Sequence, residues 1–282
     1  MKPMLAAAAT IDDVVSALTI GPMIATPKID GIRCLIMNGV AVSRKLLPIP
    51  NLHVQKLLGR GQFNNLDGEL ICDGDYSNVQ SQIMSVDKMP DFKFCVFDDF
   101  NMPTMPYEDR IKSLATRLDV DDVETRVITD LADFLAFEQE VLNGGYEGVI
   151  LRDPKAQYKF GRSTVRERGM LKVKRMEDSE AVILGTVPLY HNENEATRDN
   201  LGRTKRSSAK AGKVESGLMG ALSVRDLKTD VEFEIGTGFT ASDREKVWKV
   251  GDIVTYRFMP HGTKDRPRHP SFKGIRNIKD IV

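Results

Sequence analysis

The stretch "TPKIDGIR", residues 26–33, gathers a lysine, an aspartate, a glycine and an arginine just before a strand-like run. A lysine amine is a good nucleophile once it is neutral, and its pKa falls when it is buried or lies beside another cation. Glycine lets the backbone approach a ligand closely, and arginine can grip an oxyanion through two donors. The stretch therefore predicts either a nucleophilic lysine, Lys28, or an ordinary surface turn, and the rest of the chain decides between them.

Outward from this stretch, the first 175 residues mix strands with helices. A hairpin is predicted over 32–44, because Asn38-Gly39 between two apolar runs tolerates the positive φ of a tight turn. Apolar residues at helical spacing predict helices over 107–118 and 130–142, the second with Asp130 as its N-cap. Further strands are predicted at 66–72, 92–97 and 145–152.

After residue 180 the pattern changes to short β-type runs separated by turns. These runs are "AVILGTV", "ALSV", "VEFEIG" and "IVTYRF", and they predict a small β-barrel. Residues 188–217 interrupt them with a polar segment that is much longer than a usual connection, and such a loop is normally disordered or functional.

The charge distribution also divides the chain. Residues 1–160 hold 16 Lys and Arg against 23 Asp and Glu, whereas residues 161–282 hold 24 against 17. An acidic part joined to a basic part indicates two modules and a polyanionic partner for the second. We therefore expect an α+β protein of two domains, 1–175 and 176–282.

Two classes of protein are disfavoured by composition. No run approaches the ~18 apolar residues of a membrane-spanning helix, and the first residues lack the apolar core of a signal peptide. The three cysteines have no metal-type spacing. An intracellular protein without a membrane partner is expected, cytoplasmic if the context is bacterial or phage.

Four more segments follow "KIDGIR" in order and carry charged or aromatic side chains on predicted strands. They are "LDGEL" (66–70), "VFD" (96–98), "YEGVILR" (146–152) and "LKVKR" (171–175). Each alone reads equally well as a rim acid, a core aromatic or an exposed strand face. Five such segments in this order resemble the covalent nucleotidyltransferases: ATP-dependent DNA ligases, RNA ligases and capping enzymes.

The C-terminal segment "RHPSFKGIRNIKD" (268–280) resembles the terminal motif of DNA ligases. Across nearly the whole chain, the sequence is most similar to the minimal chlorella-virus type of ATP-dependent DNA ligase. The resemblance implies a nucleotidyltransferase (ATP-grasp-like) domain followed by an OB-fold β-barrel, into which a latch hairpin is inserted at about 188–217.

The resemblance also implies a role for each motif residue. Lys28 would attack the α-phosphate of ATP, Thr26 would contact the adenine, and Arg44 would meet the 5′-phosphate of a nick. The other implied nucleotide ligands are Arg33 and Glu69 at the ribose, Phe97 against the nucleotide, and Arg162, Lys172 and Lys174 at phosphates. Glu147, together with Glu69, would serve a divalent metal ion.

In the C-terminal motif, Arg268 and Arg276 would orient the pyrophosphate leaving group. The family often has an acid two residues after the second arginine, where this chain has Ile278. Asp280 is the nearby acid that matches the viral type, so the contributions of Lys279 and Asp280 stay open.

The polar segment carries its charge between residues 198 and 213. Six cations face the single acid Asp199 there: Arg198, Arg203, Lys205, Arg206, Lys210 and Lys213. A segment with so few apolar side chains cannot build a core, so a solvated insertion is one reading. The density of positive charge favours the other, a DNA clamp that orders around a nick, and the resemblance supports it.

The sequence thus predicts an ATP-dependent DNA ligase that uses ATP and Mg²⁺, with Mn²⁺ as a substitute, and acts as a monomer on nicked duplex DNA. Two alternatives remain: an RNA ligase or capping guanylyltransferase with the same lysine chemistry, and a non-enzymatic OB-type nucleic-acid-binding protein. Whether the source is viral or bacterial, and whether the role is replication or repair, is left open by the sequence.

Overall fold

The chain divides into two compact units, Met1–Lys174 and Arg175–Val282. The structure, a computed structural model, describes residues 2–74, 76–115, 120–198, 204–207, 209–259 and 266–276. None of the helices in these ranges is long and apolar enough to cross a membrane.

The first unit contains ten strands and five α-helices within the described ranges. In chain order they are β1 (Ala7–Ala8), α1 (Ile11–Ile20), β2 (Met23–Pro27), β3 (Ile32–Met37), β4 (Val40–Ser43), α2 (Leu52–Leu58), β5 (Leu66–Ile71), α3 (Tyr76–Ile83), β6 (Lys93–Asp99), α4 (Tyr107–Leu114), β7 (Asp121–Asp122), β8 (Arg126–Ile128), α5 (Leu131–Asn143), β9 (Val149–Arg152) and β10 (Leu171–Val173).

These strands form two five-stranded sheets. One has the order β1-β10-β9-β2-β8 and the other β4-β3-β5-β6-β7. The predicted hairpin is confirmed as β3 and β4, and its turn residues Asn38 and Gly39 have φ values of 51° and 74°. The short turn fixes the register of the hairpin, with Met37 opposite Val40.

Each sheet buries one face under helices. In the first sheet, Val149 and Leu151 of β9 pack with Phe134 and Phe137 of α5. The corresponding cluster of the second sheet joins apolar residues of α2, α3, β5 and β6: Val54, Leu58, Val79, Ile83, Leu70 and Phe94. A smaller cluster contains Leu35 and Val42 of the second sheet and, against them, Ile150 of the first. The other faces of the two sheets therefore meet each other.

The helix predictions were partly right. Helix α5 begins after its predicted cap, where the Asp130 side chain accepts from the Asp133 N–H, and it ends at Gly144. Helix α4 ends at Leu114, short of the predicted residue 118, and residues 116–119 lie outside the described ranges. Helices α1 to α3 were missed. For α1 a signal existed, since Thr10 and Asp13 form a capping box.

The second unit is built on one five-stranded sheet. In chain order its elements are β11 (Glu177–Asn192), β12 (Ala196–Arg198), β13 (Thr204–Arg206), β14 (Lys213–Asp226), β15 (Glu232–Ile235), α6 (Ala241–Glu245), β16 (Ile253–Met259) and β17 (Arg268–Arg276). The strand order is β15-β14-β11-β16-β17. Its core contains Ile183, Leu222, Val224, Ile235, Trp248 and Tyr256.

The edges of this sheet approach each other. Thr237, just after β15, forms a parallel bridge with Ser271 of β17, and the Phe272 N–H donates to the Thr237 carbonyl at 2.9 Å. Within the described residues only this bridge and its hydrogen bond join the two edges, so the sheet is not closed into a full barrel.

The polar segment is more regular than the sequence suggested. Strand β11 continues to Asn192 and β14 begins at Lys213, so both ends of the predicted 188–217 loop are paired strand. Beyond them, β12 and β13 pair antiparallel as a small hairpin. The prediction of a long loop was wrong at its ends, because two strands that pair with each other satisfy their backbone groups without an apolar face.

Candidate active site

A cavity of about 430 Å³ opens between the two sheets of the first unit. Leu5, Ala6 and Met170 give it apolar walls. Eight residues that the sequence singled out line it: Thr26, Lys28, Arg33, Arg44, Glu69, Phe97, Arg162 and Lys172. The segments that the sequence placed in order are thus brought to one site by the fold.

Lys28 enters the cavity directly after β2. Its backbone N–H donates to the Gly148 carbonyl at 2.7 Å, and its carbonyl accepts from the Glu147 N–H at 3.2 Å. Gly148 has a φ of 152°, and a Cβ built there would lie 2.2 Å from the Val173 carbonyl oxygen. Only glycine therefore lets the 147–148 turn pass between Lys28 and β10.

The Glu147 carboxylate joins two cations. One oxygen pairs with Lys28 Nζ and the other with Lys174 Nζ. The Glu147 side chain is only 5% exposed, while Lys28 and Lys174 are 22% and 25% exposed. Burial by itself would raise the pKa of Glu147, but the two ammonium groups outweigh burial and hold the pKa below its ordinary value.

Lys172 lies in a cluster of positive charge. Burial lowers the pKa of its ammonium group, and the charges of Lys174, Arg162 and Lys28 lower it further. Residues Leu171 and Val173 on either side are buried, so Lys172 and Lys174 share the other face, as the strand pattern predicted. A cluster of this kind favours a bound anion, which would relieve the repulsion among the cations.

Glu69 is the second carboxylate of the cavity. It lies opposite Arg33 in the pairing of β3 with β5. Burial raises the pKa of Glu69 to about 7, although the charges of Arg33 and Lys28 act against this rise. Gly31 fits closely here, since a Cβ at that position would lie 2.4 Å from the Leu70 carbonyl oxygen.

The residues around Lys28 can be compared with the ligands that the predicted metal ion would need. Among the residues that the structure describes, no group of three or more His, Cys, Asp or Glu could hold a metal by itself. Glu69 and Glu147 each interact with the Lys28 charge, so two carboxylates lie near Lys28. One or two carboxylates suit Mg²⁺ when substrate phosphates supply further oxygens, and the donor set fits such an ion.

A buried network under the cavity fixes Arg33. Its guanidinium pairs with the Asp67 carboxylate, with Nη2 to Oδ2 at 2.6 Å. The Tyr158 hydroxyl donates to the same carboxylate oxygen at 2.6 Å. The Arg33 guanidinium carbon lies 4.6 Å from the centre of the Phe97 ring, within cation–π range.

A second network supports Phe97 from the other side. Asp98 is fully buried and pairs with Arg152 and with Arg110, whose Nε lies 2.7 Å from Asp98 Oδ1. Arg152 lies 5.5 Å from the centre of the Phe97 ring and 4.5 Å from that of Tyr107. The Phe97 ring therefore lies within cation–π range of two guanidinium groups that are themselves held by carboxylates.

Sequence reasoning quoted the segments that contain Asp67, Asp98 and Arg152 but gave these residues no role, and it gave none to Tyr158. A signal was present for Asp98. It directly follows the apolar run of β6, and a carboxylate in a buried strand requires a charged partner. A register shift in the pairing of β5 with β6 puts Asp98 opposite Asp67 and off the strand face of Phe94 and Val96. Arg110 could not be identified as that partner, because its helix is brought to β6 only by the tertiary fold.

The C-terminal arginines lie in the second unit, on β17. Arg276 pairs with Glu180 of β11, with Nε to Oε1 at 3.0 Å. Arg268 stands opposite Met259 in the pairing of β16 with β17. Residues 277–282, which include Ile278, Lys279 and Asp280, lie outside the described ranges.

The predicted DNA-binding cations are spread along the small hairpin and its base. Arg206 ends β13, Lys210 is in a 3₁₀ turn (Lys210–Gly212), and Lys213 begins β14; all three are exposed. Arg198 and Lys205 belong to the paired strands β12 and β13. Arg203 lies outside the described residues.

Two family models match the chain. The ATP dependent DNA ligase domain matches residues 3–174, and the DNA ligase OB-like domain matches residues 211–276. The two matches confirm the predicted α+β nucleotidyltransferase domain and the OB-fold domain.

Known proteins agree with these matches. The crystal structure of chlorella virus DNA ligase-adenylate is 30% identical to this chain, covers 98% of this chain and 99% of its own, and has a TM-score of 0.56. A structure of the Lig E DNA ligases has a TM-score of 0.73 at 24% identity, over 98% of this chain and 99% of its own, and supports the fold. A DNA ligase of Haemophilus influenzae is 24% identical over 215 residues, which are 73% of this chain and 70% of the relative.

The matched domain covers more than half of the chain and contains every residue that lines the cavity around Lys28. Neither the family matches nor these relatives favour an RNA ligase. The chain therefore belongs to the ATP-dependent DNA ligases.

Proposed function

We propose that Lys28 is the residue that receives AMP from ATP, and that the enzyme then seals nicks in duplex DNA. The Lys28 ammonium group first loses a proton; its neutral Nζ then attacks the α-phosphorus and forms a P–N bond, while the bond to pyrophosphate breaks. AMP then passes to the 5′-phosphate of the nick, and the neighbouring 3′-hydroxyl attacks that phosphate and releases AMP. The observation that carries this proposal is the position of Lys28 in the cavity, where Glu147 holds its ammonium group.

The cavity supports a division of labour among the other residues. Thr26 contacts the adenine, and Phe97 packs on the nucleotide from a ring that two guanidinium groups hold in place. Arg33 and Glu69 bind the ribose. Arg162, Lys172 and Lys174 neutralise phosphate oxygens, since phosphoryl transfer depends mostly on positioning and charge neutralisation. Arg268 and Arg276 orient the pyrophosphate.

A divalent ion completes this site in the proposal. Mg²⁺, or Mn²⁺ in its place, would be held by Glu147 and Glu69 together with nucleotide phosphates, and it would neutralise charge on the reacting phosphate. Glu147 is already paired with Lys28 and Lys174. A metal ion that binds the Glu147 carboxylate would therefore release Lys28 from its ion pair. Removing divalent ions with EDTA is expected to stop self-adenylation, and adding Mg²⁺ is expected to restore it.

The substrate in this proposal is nicked duplex DNA, bound by a monomer inside the cell. Arg44 meets the 5′-phosphate of the nick. The exposed cations Arg206, Lys210 and Lys213 contact the duplex, together with Arg198, Arg203 and Lys205. Replacing residues 193–212 with a Gly-Ser turn between Asn192 and Lys213, which are already paired, should leave self-adenylation intact. The same change should weaken nick binding and sealing sharply and make nick binding less sensitive to salt, because phosphate contacts are lost.

The deciding experiment is a sealing assay on nicked duplexes whose joined strands are DNA or RNA, with ATP or GTP. Sealing of DNA with ATP, and AMP mapped to Lys28 by peptide mass spectrometry, is the expected result. AMP on another lysine contradicts the assignment of the nucleophile. Joining of RNA strands only, or labelling by GTP, would favour the RNA ligase or capping enzyme. A protein that binds DNA but takes no AMP would be a binding module.

A further inference from the structure

The base of the basic hairpin is tied together by asparagine side chains. The Asn194 amide nitrogen lies 3.0 Å from the Ser207 carbonyl oxygen, 2.8 Å from the Ala209 carbonyl oxygen and 2.8 Å from Asn192 Oδ1. The Asn192 amide in turn donates to the Ser207 carbonyl at 2.9 Å. One short polar side chain thus joins the outgoing arm of the insertion to its returning arm.

The backbone around Asn194 closes on the same point. The Glu193 N–H donates to the Gly212 carbonyl at 2.8 Å, and the Arg206 guanidinium donates to the Asn194 carbonyl. Gly212 leaves room for this contact, since a Cβ there would lie 2.2 Å from Asn194 Oδ1. Because the insertion has hardly any apolar side chains, these hydrogen bonds replace a core.

The junction around Asn194 connects the two strand ladders of the insertion. It lies between the end of the β11–β14 ladder, at Asn192 and Lys213, and the start of the β12–β13 ladder, at Ala196 and Arg206. The direction of the β12–β13 hairpin relative to the main sheet is therefore set by the residues around Asn194. Arg206 is part of the junction through its bond to Asn194, and Lys210 follows it closely.

We propose that Asn194 is a positioning residue that holds the basic hairpin pre-ordered for duplex DNA without contacting the DNA itself. The inference rests on the proposed nick-sealing function. A segment that is already ordered does not have to lose its conformational freedom on binding. If only a fraction of the molecules holds the binding-competent arrangement, the apparent Kd rises by the inverse of that fraction.

The test compares four full-length proteins: wild type, Asn194→Ala, Lys210→Ala and Asn143→Ala. Asn143 is at the end of α5, where its side chain accepts one hydrogen bond from Gln139, so it controls for loss of an asparagine amide elsewhere. The probe is a nicked duplex with a 3′-dideoxy end, which cannot be sealed, titrated by fluorescence anisotropy at several salt concentrations. Hydrogen exchange of the peptides covering 193–212, without DNA, reports the order of the hairpin.

Asn194→Ala is expected to raise Kd about tenfold at every salt concentration, with faster exchange in the hairpin. Its log–log salt slope should equal that of wild type, because no phosphate contact is removed. Lys210→Ala should lower that slope by ~0.9, without faster exchange. Asn143→Ala should match wild type in all three measurements.

Four outcomes would overturn the inference. A wild-type Kd for Asn194→Ala despite faster exchange means that pre-ordering does not matter for binding. A lowered salt slope for Asn194→Ala means that it contacts the DNA directly, and unchanged exchange means that it does not order the hairpin. If Lys210→Ala and replacement of 193–212 both leave Kd and slope unchanged, the clamp function itself fails and the inference fails with it. Thermal unfolding of each variant excludes a general loss of fold.

Discussion

Lys28, Glu147 and Lys174 form a cluster of two ammonium groups and one carboxylate, and Lys28 lines the cavity. A carboxylate that is 5% exposed is costly to bury unless it is paired, and here each of its oxygens has an ammonium partner. The same pairing keeps Lys28 beside Glu147 when no nucleotide is bound. In the proposed reaction, an arriving phosphate and metal ion would compete for these groups, so nucleotide binding and the release of Lys28 from Glu147 would be one event.

Replacing Lys28 with alanine is expected to abolish transfer of label from α-labelled ATP, since no amine remains to accept AMP. Closure of a nick that already carries 5′-AMP should persist, because that step forms a bond between two DNA groups. The measurement compares self-adenylation of the variant with its sealing of pre-adenylated nicks. Label on the Lys28→Ala protein would show that another residue is the nucleophile.

The raised pKa of Glu69 makes the stability of the folded protein depend on pH. Its pKa is about 7 in the folded state, against an ordinary value of 4.5. Between about pH 4.5 and 7 the folded protein therefore binds a proton that the unfolded chain has released, and stability falls as pH rises through this window. Above about pH 7 Glu69 is ionised in both the folded and the unfolded state, so stability falls no further for this reason.

Glu69→Gln should remove this contribution. The free energy of unfolding of the variant, relative to wild type, should increase as pH rises from 5 to 8, by at most about 1.4 kcal/mol per pH unit. Urea unfolding of both proteins at pH 5 and pH 8 provides the measurement. Parallel curves, with a constant gap between the two proteins, would mean that the pKa of Glu69 is ordinary.

At the scale of elements, the turn before β9 decides where Lys28 and Glu147 meet. Gly148 has a φ of 152° and no room for a Cβ, while Gly161 has a φ of 157° and nothing within 4 Å of a Cβ. Alanine at either position strains the backbone in the same region of φ. Alanine at Gly148 also collides with β10.

Gly148→Ala should therefore destabilise the protein by about 2 kcal/mol more than Gly161→Ala, in the range of overpacking effects. Because the collision displaces Glu147 from Lys28, self-adenylation should fall strongly in Gly148→Ala alone. Chemical unfolding and ATP labelling of the matched pair test this. Equal losses in both variants would assign the effect to backbone strain rather than to the close approach of β10.

The insertion shows a second rule at this scale. Residues 188–192 and 213–217 have little apolar content, yet they extend the β11–β14 ladder. Polar strands can pair when a turn or a side-chain junction fixes their register, and here the junction around Asn194 lies at the end of that ladder. Composition alone therefore underestimated the regular structure of this segment.

At the scale of the whole molecule, the proposed reaction uses residues of both units. The cavity and Lys28 belong to the first unit, whereas Arg276 belongs to the second and is paired there with Glu180. Arg257, on the neighbouring strand β16, is similarly exposed and similarly paired, with Asp178. These two arginines make a matched pair for testing a step-specific role.

Arg276→Ala should slow self-adenylation by about 10²-fold, the typical effect of removing one group that stabilises developing charge. Sealing of a pre-adenylated nick should change much less, because no pyrophosphate leaves in that step. Arg257→Ala should leave both steps near wild type. If Arg276→Ala lowers both steps equally while Arg257→Ala lowers neither, Arg276 is not specific to the first step.

The sequence by itself determined the family, the two folds and the segments that build the cavity. Local signals were enough for the hairpin at Asn38–Gly39 and the helix capped by Asp130, because turn and cap preferences depend on neighbouring residues alone. The order of the motif segments was enough for the family, since each places a characteristic charge next to a strand.

The tertiary structure alone decided which of these charges meet. Asp67 holds Arg33, Asp98 holds Arg110 and Arg152, and Asn194 joins two arms of an insertion. Asp67 and Asp98 lie on buried strand faces, whereas Asn194 is a surface amide. In each case the partner comes from a distant segment or from the other side of a loop. Periodicity identifies the face on which a side chain lies, whereas the identity of its partner depends on how sheets and helices pack.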